Sequence, residues 1–275
     1  MTKIKIALCQ MNVIDNKQKN IEKATSMINE AVSYGSNFIV LPEMFNCPYS
    51  NDKFIEYAED QESSVTLENI SKLAKENSTY ILAGSIPEKE NSKIYNTSFL
   101  FDKNGSIIAK HRKMHLFDID VKGEIYFKES DTLTPGNEFT VADTDFGKIG
   151  IGICYDVRFP QLAQINVAKG ANILFYPGAF NMTTGPAHWE LLFRSRALDN
   201  QVFCIGVAPA LNKNASYHSY GHSIAVNPWG EVICQLSQKE ELKIVEIDLD
   251  EIKKVRNEIP VLKNKRNDLY EIIEK

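Results

Sequence analysis

The feature that most constrains this chain is a sustained alternation of short apolar runs with longer amphipathic segments. Residues 3–11 (K-I-K-I-A-L-C-Q-M) read as a strand. Residues 16–34 read as a helix, with Ile21, Ala24, Ile28, Ala31 and Val32 on one face and Gly35 as its stop. A strand over 37–43, a helix over 65–77 and a strand over 79–86 follow. Runs at 94–101 and 106–113 flank Asp102-Lys103-Asn104-Gly105, and Asn-Gly between apolar runs predicts an antiparallel hairpin. Next come a strand over 148–154, a helix over 160–169, a strand over 171–177 and a helix over 186–201. Strands over 202–209, 223–227, 231–236 and 242–248 complete the series, with Pro228-Trp229-Gly230 as a turn and a charged C-terminal stretch. No repeat or low-complexity linker interrupts it. The expectation is an α/β chain forming one domain over 1–275, with stacked sheets covered by helices on both outer faces. Strand order within the sheets does not follow from the pattern.

Composition removes several function classes. With 43% hydrophobic and 24% charged residues, the 275-residue chain is neither disordered, collagenous nor coiled-coil. Lys+Arg 31 against Asp+Glu 36 gives a net charge of −5, so no global positive field exists to attract a nucleic acid. No apolar run approaches the ~18 residues that span a bilayer, so no membrane partner is expected. Cys9, Cys47, Cys154, Cys204 and Cys234 are odd in number, scattered, and never at C-x-x-C spacing. They read as free thiols of a cytoplasmic protein. Asn96-Thr97-Ser98 then has no meaning as a glycosylation site.

The chemistry concentrates at strand ends. Residues 148–160, K-I-G-I-G-I-C-Y-D-V-R-F-P, form an apolar strand ending at Cys154, followed at once by a polar helix start. A thiol at the carboxyl end of such a strand faces the crevice where α/β proteins bind ligands, which makes Cys154 a candidate nucleophile; the alternative is a small buried core residue. Cys204, inside the apolar run 202–207, reads as core. Gly147, Gly150 and Gly152 give G-x-x-G-x-G rather than the G-x-G-x-x-G of a dinucleotide site, so no nicotinamide cofactor is expected. A cysteine hydrolase needs a base and an oxyanion donor from other strand ends. Glu43 after F-I-V-L-P and Lys113 after the second hairpin strand stand in such places, although either would also be ordinary as a solvated strand end. His111, His115, His188, His218 and His222 are alternative cysteine partners. His218 and His222 lie in a loop-like string without the helical spacing of zinc sites, so no metal is expected. No G-x-S-x-G elbow occurs, and Trp189 and Trp229 read as packing or interface residues.

These residues together resemble the nitrilase, or carbon-nitrogen hydrolase, superfamily. Its catalytic Glu-Lys-Cys set matches Leu41-Pro42-Glu43, His111-Arg112-Lys113 and Gly152-Ile153-Cys154-Tyr155-Asp156, and its second glutamate matches Glu129 in F-K-E-S. The resemblance runs from about residue 3 to 270. Within the superfamily the chain is similar to the omega-amidase branch. The supporting strings are K-M-H-L-F-D-I-D-V from Lys113, P-G-A-F-N-M-T-T-G-P-A-H-W-E-L-L from Pro177, and V-N-P-W-G-E-V from Val226. The resemblance implies a four-layer α-β-β-α sandwich, a homodimer, and hydrolysis of the distal amide of 2-oxoglutaramate or 2-oxosuccinamate without a cofactor. It also implies Glu43 as the proton carrier, with Lys113 and the Tyr155 N–H holding the oxyanion and Glu129 positioning the amide and keeping Lys113 charged. Arg158 would receive the substrate carboxylate, with Phe180 and Thr184 completing the pocket. The rival expectations are relatives acting on deaminated glutathione, nitriles, N-carbamoyl or aliphatic amides, and a non-catalytic scaffold of the same fold.

Overall fold

A computed structural model describes residues 3–275. The first apolar run forms β1 (Lys3–Gln10), and Asn16 caps α1 (Lys17–Ser33) by accepting the Lys19 N–H at 3.0 Å. Next come β2 (Phe38–Val40), α2 (Asn51–Tyr57), β3 (Glu59–Asp60), α3 (Val65–Asn77), β4 (Tyr80–Leu82), β5 (Ile86–Glu90), β6 (Lys93–Phe101) and β7 (Ile107–Arg112). β8 (Asp118–Val121) and β9 (Ile125–Lys128) form a separate hairpin. The second half runs β10 (Thr140–Thr144), β11 (Gly147–Ile151), α4 (Pro160–Ala168), β12 (Ile173–Pro177), α5 (Gly185–Asn200), β13 (Phe203–Val207), β14 (Ile224–Val226), β15 (Val232–Gln235), β16 (Glu241–Asp248) and α6 (Asp250–Glu258).

One sheet has the order β16-β1-β2-β4-β6-β5-β3, with β7 also paired to β6; the other runs β10-β11-β12-β13-β14-β15. Strand alternation sorts the apolar side chains into layers. Ile6, Leu8, Val40 and Leu82 of the first sheet pack against Ile149, Ile151, Phe175 and Ile205 of the second, and Phe38 stacks on Phe175 with ring centroids 4.7 Å apart. The outward set of the first sheet, including Ile39 and Ile81, meets α1 and α3 through Ile28, Leu67 and Ile70. The outward set of the second, including Leu174 and Cys204, meets α4 and α5 through Leu162, Trp189 and Phe193. The result is the α-β-β-α sandwich. Central strands buried on both faces are apolar at every position, which is why they read as continuous runs.

The differences from the sequence reading concern where strands stop. β2 ends at Val40, and Leu41-Pro42-Glu43 leaves the sheet. The expected strand over 79–86 divides into β4 and β5 at Gly84, whose φ is +40° and where a Cβ would lie 1.9 Å from the Pro42 carbonyl oxygen. Only glycine permits that approach of two loops. The strand expected over 148–154 ends at Ile151, and Cys154 opens a 3-10 turn over Cys154–Arg158. The reading omitted α2, β3, the β8–β9 hairpin, β10 and α6; the charged stretch after 248 contains this last helix.

The end of β7 is tied down just before Lys113. Arg112 donates from Nε and Nη2 to the two Glu88 oxygens at 2.8 and 2.9 Å, and Lys110 and Thr97 donate to the same carboxylate at 3.0 and 2.7 Å. Burial opposes a charge on Glu88, yet these donors hold its carboxyl below the usual carboxylate range.

Candidate active site

Glu43, Lys113, Glu129 and Cys154 leave four different chain segments and meet in one buried place, each 3% exposed or less. The Lys113 Nζ lies 3.0 Å from Glu43 Oε1 and 2.9 Å from Glu129. Burial alone would depress the ammonium, but Glu129 and Glu43 outweigh it and push the Lys113 pKa above its ordinary value. Lys113 is therefore a fixed cation. Glu43 also accepts from Asn96 Nδ2 at 2.8 Å and from the Ala179 N–H at 2.7 Å. Burial, resisted by Lys113 and reinforced by Glu129, raises the Glu43 pKa above the ordinary carboxylate value. Glu129 accepts the Phe117 N–H at 2.6 Å, which fixes it at the foot of the β8–β9 hairpin.

Cys154 is 3% exposed and adopts φ +47°, a left-handed conformation costly for a residue with a Cβ. Gly178 makes room for it, since a Cβ there would come within 3.2 Å of the Cys154 Cα. Burial, and then the nearby Glu43, push the thiol well above its ordinary pKa, so the proton rests on sulfur with the Glu43 side chain beside it. The arrangement can transfer that proton to Glu43 as the sulfur attacks.

Arg158, at the end of the same 3-10 turn, sits over the Phe180 ring at 4.7 Å and the Tyr155 ring at 5.4 Å. Its Nη1 donates to His188 Nδ1 at 3.2 Å, its Nε is buried without a partner, and among the described residues no Asp or Glu pairs with it. Burial lowers its pKa. Tyr155 packs edge-on against Phe117 and Phe159. The Thr184 hydroxyl is turned to Asn181, donating to Oδ1 at 3.1 Å at the start of α5, so it is engaged locally rather than joined to Arg158.

A cavity of about 480 Å3 reaches Glu43 and Tyr49 from the loops after β1 and β13, with Asp15, Asn212 and Tyr217 on its walls. Tyr49 and Tyr217 stack at 4.6 Å between ring centroids beside it. Among the described residues no group of His, Cys, Asp or Glu is arranged to hold a metal ion. His222 instead stacks on Tyr220.

The family model for carbon-nitrogen hydrolase matches residues 5–257. The chain belongs to the carbon-nitrogen hydrolase family. It is 50% identical over 275 residues to "Omega-amidase NIT2-A" of Xenopus laevis, covering 100% of this chain and 99% of that protein. With "Omega-amidase NIT2" of Homo sapiens it shares 48% over 272 residues, 99% of this chain and 98% of the human one. Among solved structures, Saccharomyces cerevisiae Nit3, described as a member of branch 10 of the nitrilase superfamily, superposes with a TM-score of 0.89 at 42% identity, covering 96% of this chain and 97% of that one.

In this carbon-nitrogen hydrolase, sequence reasoning missed Tyr49, Asn96 and Asp156 as members of the site, and His188, weighed there as a cysteine partner, faces Arg158 instead. Tyr49 donates to Glu129 Oε1 at 2.6 Å and lies 3.2 Å from Glu43 Oε1 and 3.3 Å from the Lys113 Nζ, so one phenol touches all three charged groups. Only its place six residues after Glu43 hinted at this. Tyr49→Phe is expected to lower kcat about 10- to 150-fold, the size of one hydrogen bond to a charged group at 1.4 kcal/mol per tenfold. Ammonia release measured at saturating amide checks it, and unchanged kcat would reduce Tyr49 to packing.

Proposed function

We propose that this carbon-nitrogen hydrolase is an omega-amidase working through Cys154. The observation that carries the reading is the buried Lys113 ammonium gripped by Glu43 and Glu129 beside a thiol that Glu43 can deprotonate. The Cys154 sulfur attacks the amide carbon while its proton passes to Glu43. Lys113 and the N–H groups that open the 3-10 turn, Tyr155 foremost, stabilise the oxyanion. As the carbon–nitrogen bond breaks, Glu43 returns the proton to nitrogen, ammonia leaves and a thioester remains. Water then adds to the thioester with Glu43 taking its proton, and the acid and the free thiol are regenerated. Glu129 orients the amide and Lys113.

Arg158 selects the substrate. A half-buried guanidinium with no acidic partner among the described residues, held over Phe180 and Tyr155, is suited to a carboxylate carried by the substrate itself. His188 steadies one end of the fork, and the Thr184 hydroxyl bonds Asn181 Oδ1 rather than the guanidinium. With Arg158→Ala, kcat/KM for 2-oxoglutaramate should fall roughly 10- to 150-fold, whereas a simple aliphatic amide of equal length should change little. Equal losses on both substrates would remove the carboxylate role. Preferred turnover of deaminated glutathione or an N-carbamoyl amine across an amide panel would replace omega-amidase by that activity.

The working unit in this reading is a homodimer in the cytoplasm. Leu191, Leu198 and Trp229 are 63%, 53% and 44% exposed, and Arg194 of α5 donates to the Gly230 carbonyl at 2.9 Å, bringing the Trp229 turn against that helix. Such an apolar cluster suits pairing with a second copy. Light scattering at twice 31.1 kDa is expected, and a single 31.1 kDa species at micromolar concentration would overturn it. All five cysteines are unpaired, as a reducing compartment requires. No helix of the described residues is long and apolar enough to cross a membrane.

A further inference from the structure

Cys154 and Lys113 come from different sheets, so something must hold the nucleophile turn and the lysine segment in register. Asp156 lies two residues after Cys154 and is fully buried. Its Oδ2 accepts the Ile153 N–H at 2.9 Å, immediately before the nucleophile, and its own N–H donates to the Ile153 carbonyl at 3.0 Å. Its Oδ1 accepts the His115 N–H at 3.0 Å. The ring nitrogens His115 Nδ1 and His111 Nε2 face Oδ1 and Oδ2 at 2.7 and 3.1 Å. His111 and His115 stand two residues before and two residues after Lys113. One carboxylate thus grips both sides of Lys113 and the residue preceding Cys154, and four donors fill the four acceptor positions that a carboxylate offers.

Resting on the roles assigned above to Lys113 and Cys154, we propose that Asp156 is a positioning residue. It clamps the oxyanion-side lysine and the nucleophile into one geometry, with His111 and His115 as its side-chain donors. The clamp has a job to do because Cys154 sits at φ +47°, a conformation that persists only when the surroundings impose it. Its chemistry supports a permanent charge. Burial opposes ionisation of Asp156, yet the histidine bonds and the Ile153 N–H hold its carboxyl well below the ordinary value. Both ring nitrogens face acceptor oxygens, which assigns their protons to His111 Nε2 and His115 Nδ1. The His115 ring is also braced across its face by Phe159, stacked at 3.6 Å between centroids, and Phe159 directly follows the nucleophile turn. In sequence terms, the two histidines flanking Lys113 in His111-x-Lys113-x-His115 hold Asp156 of Cys154-x-Asp156, and Lys113 and Cys154 are the reacting members of the two strings.

The test separates positioning from folding. Asp156→Asn keeps size but turns an NH2 toward either the Ile153 or the His115 main-chain N–H, so kcat should fall at least about a hundredfold, the effect of moving reacting groups by about 1 Å. KM should stay within about threefold. Isosteres then decide, even if Asp156→Asn fails to fold. His115→Asn presents a donor where Nδ1 stood and His111→Gln where Nε2 stood, so both should keep kcat within a few fold. His115→Leu and His111→Leu should each lose about tenfold in kcat with little change in KM. Kinetics on the folded fraction, with Cys154→Ala and Lys113→Met in parallel, read the outcome. Turnover surviving in those two controls would sink the reading of the active site itself. Inactive controls combined with leucine variants that match wild type, isosteres as damaged as the leucine variants, or losses confined to KM would overturn the clamp alone.

Discussion

Cys154→Ala should lower kcat on the order of 10^6-fold, because removing the nucleophile of a covalent catalytic unit costs about as much as removing the whole unit. The wild-type enzyme, quenched during turnover, should carry the acyl group of the amide on Cys154 when analysed by intact-protein and peptide mass spectrometry. Cys47 and Cys204 are built to stay unmodified. Both are buried thiols whose burial pushes them far above the ordinary cysteine range, and neither has Glu43 beside it to take the proton. An adduct on either, or full activity in Cys154→Ala, would overturn the assignment. The same arrangement fixes the sign of the pH dependence. The working base is deprotonated Glu43, whose pKa is raised by burial, so the acid limb of kcat/KM should lie at higher pH than an ordinary glutamate would place it. A limb at or below the ordinary glutamate value would show that another group governs it.

Lys113→Met should produce the second large effect, and in two observables at once. It removes the charged oxyanion donor, which by itself costs about 10^2- to 10^3-fold in kcat. It also takes away the cation that holds Glu43 ionised, leaving Glu43 and Glu129 facing each other, so the remaining activity should show an acid limb shifted further upward. Breaking a buried ion pair by removing one partner costs about 3 to 5 kcal/mol of stability. The double variant Lys113→Met with Glu129→Gln should recover part of that stability, since it removes one of the two stranded carboxylates, and none of the activity. Thermal denaturation and ammonia assays on the three proteins check this. Near-normal turnover in Lys113→Met would point instead to a cysteine–histidine enzyme. Recovery of activity in the double variant would show that lysine served stability alone.

The two predictions rest on residues of unequal legibility. Glu43 and Cys154 were visible as polar groups just past apolar runs, because a strand buried on both faces must be apolar and the polar residues beyond it mark the sandwich edge, whereas Lys113 was visible only as the end of a hairpin strand within a basic cluster. Glu129 followed from resemblance alone, because the β8–β9 hairpin that delivers it is short, half exposed and weakly patterned around Lys122-Gly123. Tyr49 and Asn96 gave no such signal. Tyr49 sits in a loop, and Asn96 lies inside β6, where a polar residue in a run could as well satisfy a neighbouring main chain. His111 and His115 suggested themselves as partners of the cysteine sulfur, and the structure turns them to Asp156 instead.

What the sequence determined by itself is the set of layers: period-two and period-3.6 patterns state which face of each element is apolar, and burial of those faces leaves little choice but helices outside two stacked sheets. Local backbone chemistry was partly legible as well, since Asn104-Gly105 gave the β6–β7 hairpin and Asn16 the start of α1. The tertiary structure alone decided the strand order, the point where each strand lets go, and the convergence of Glu43, Lys113, Glu129 and Cys154. Those depend on contacts between residues far apart in the chain, such as the Ala179 N–H on Glu43 across 136 positions, whose energy arises only after both loops have been brought together. Periodicity describes one element and its own faces; distances between the ends of different elements are fixed by packing across the sheets.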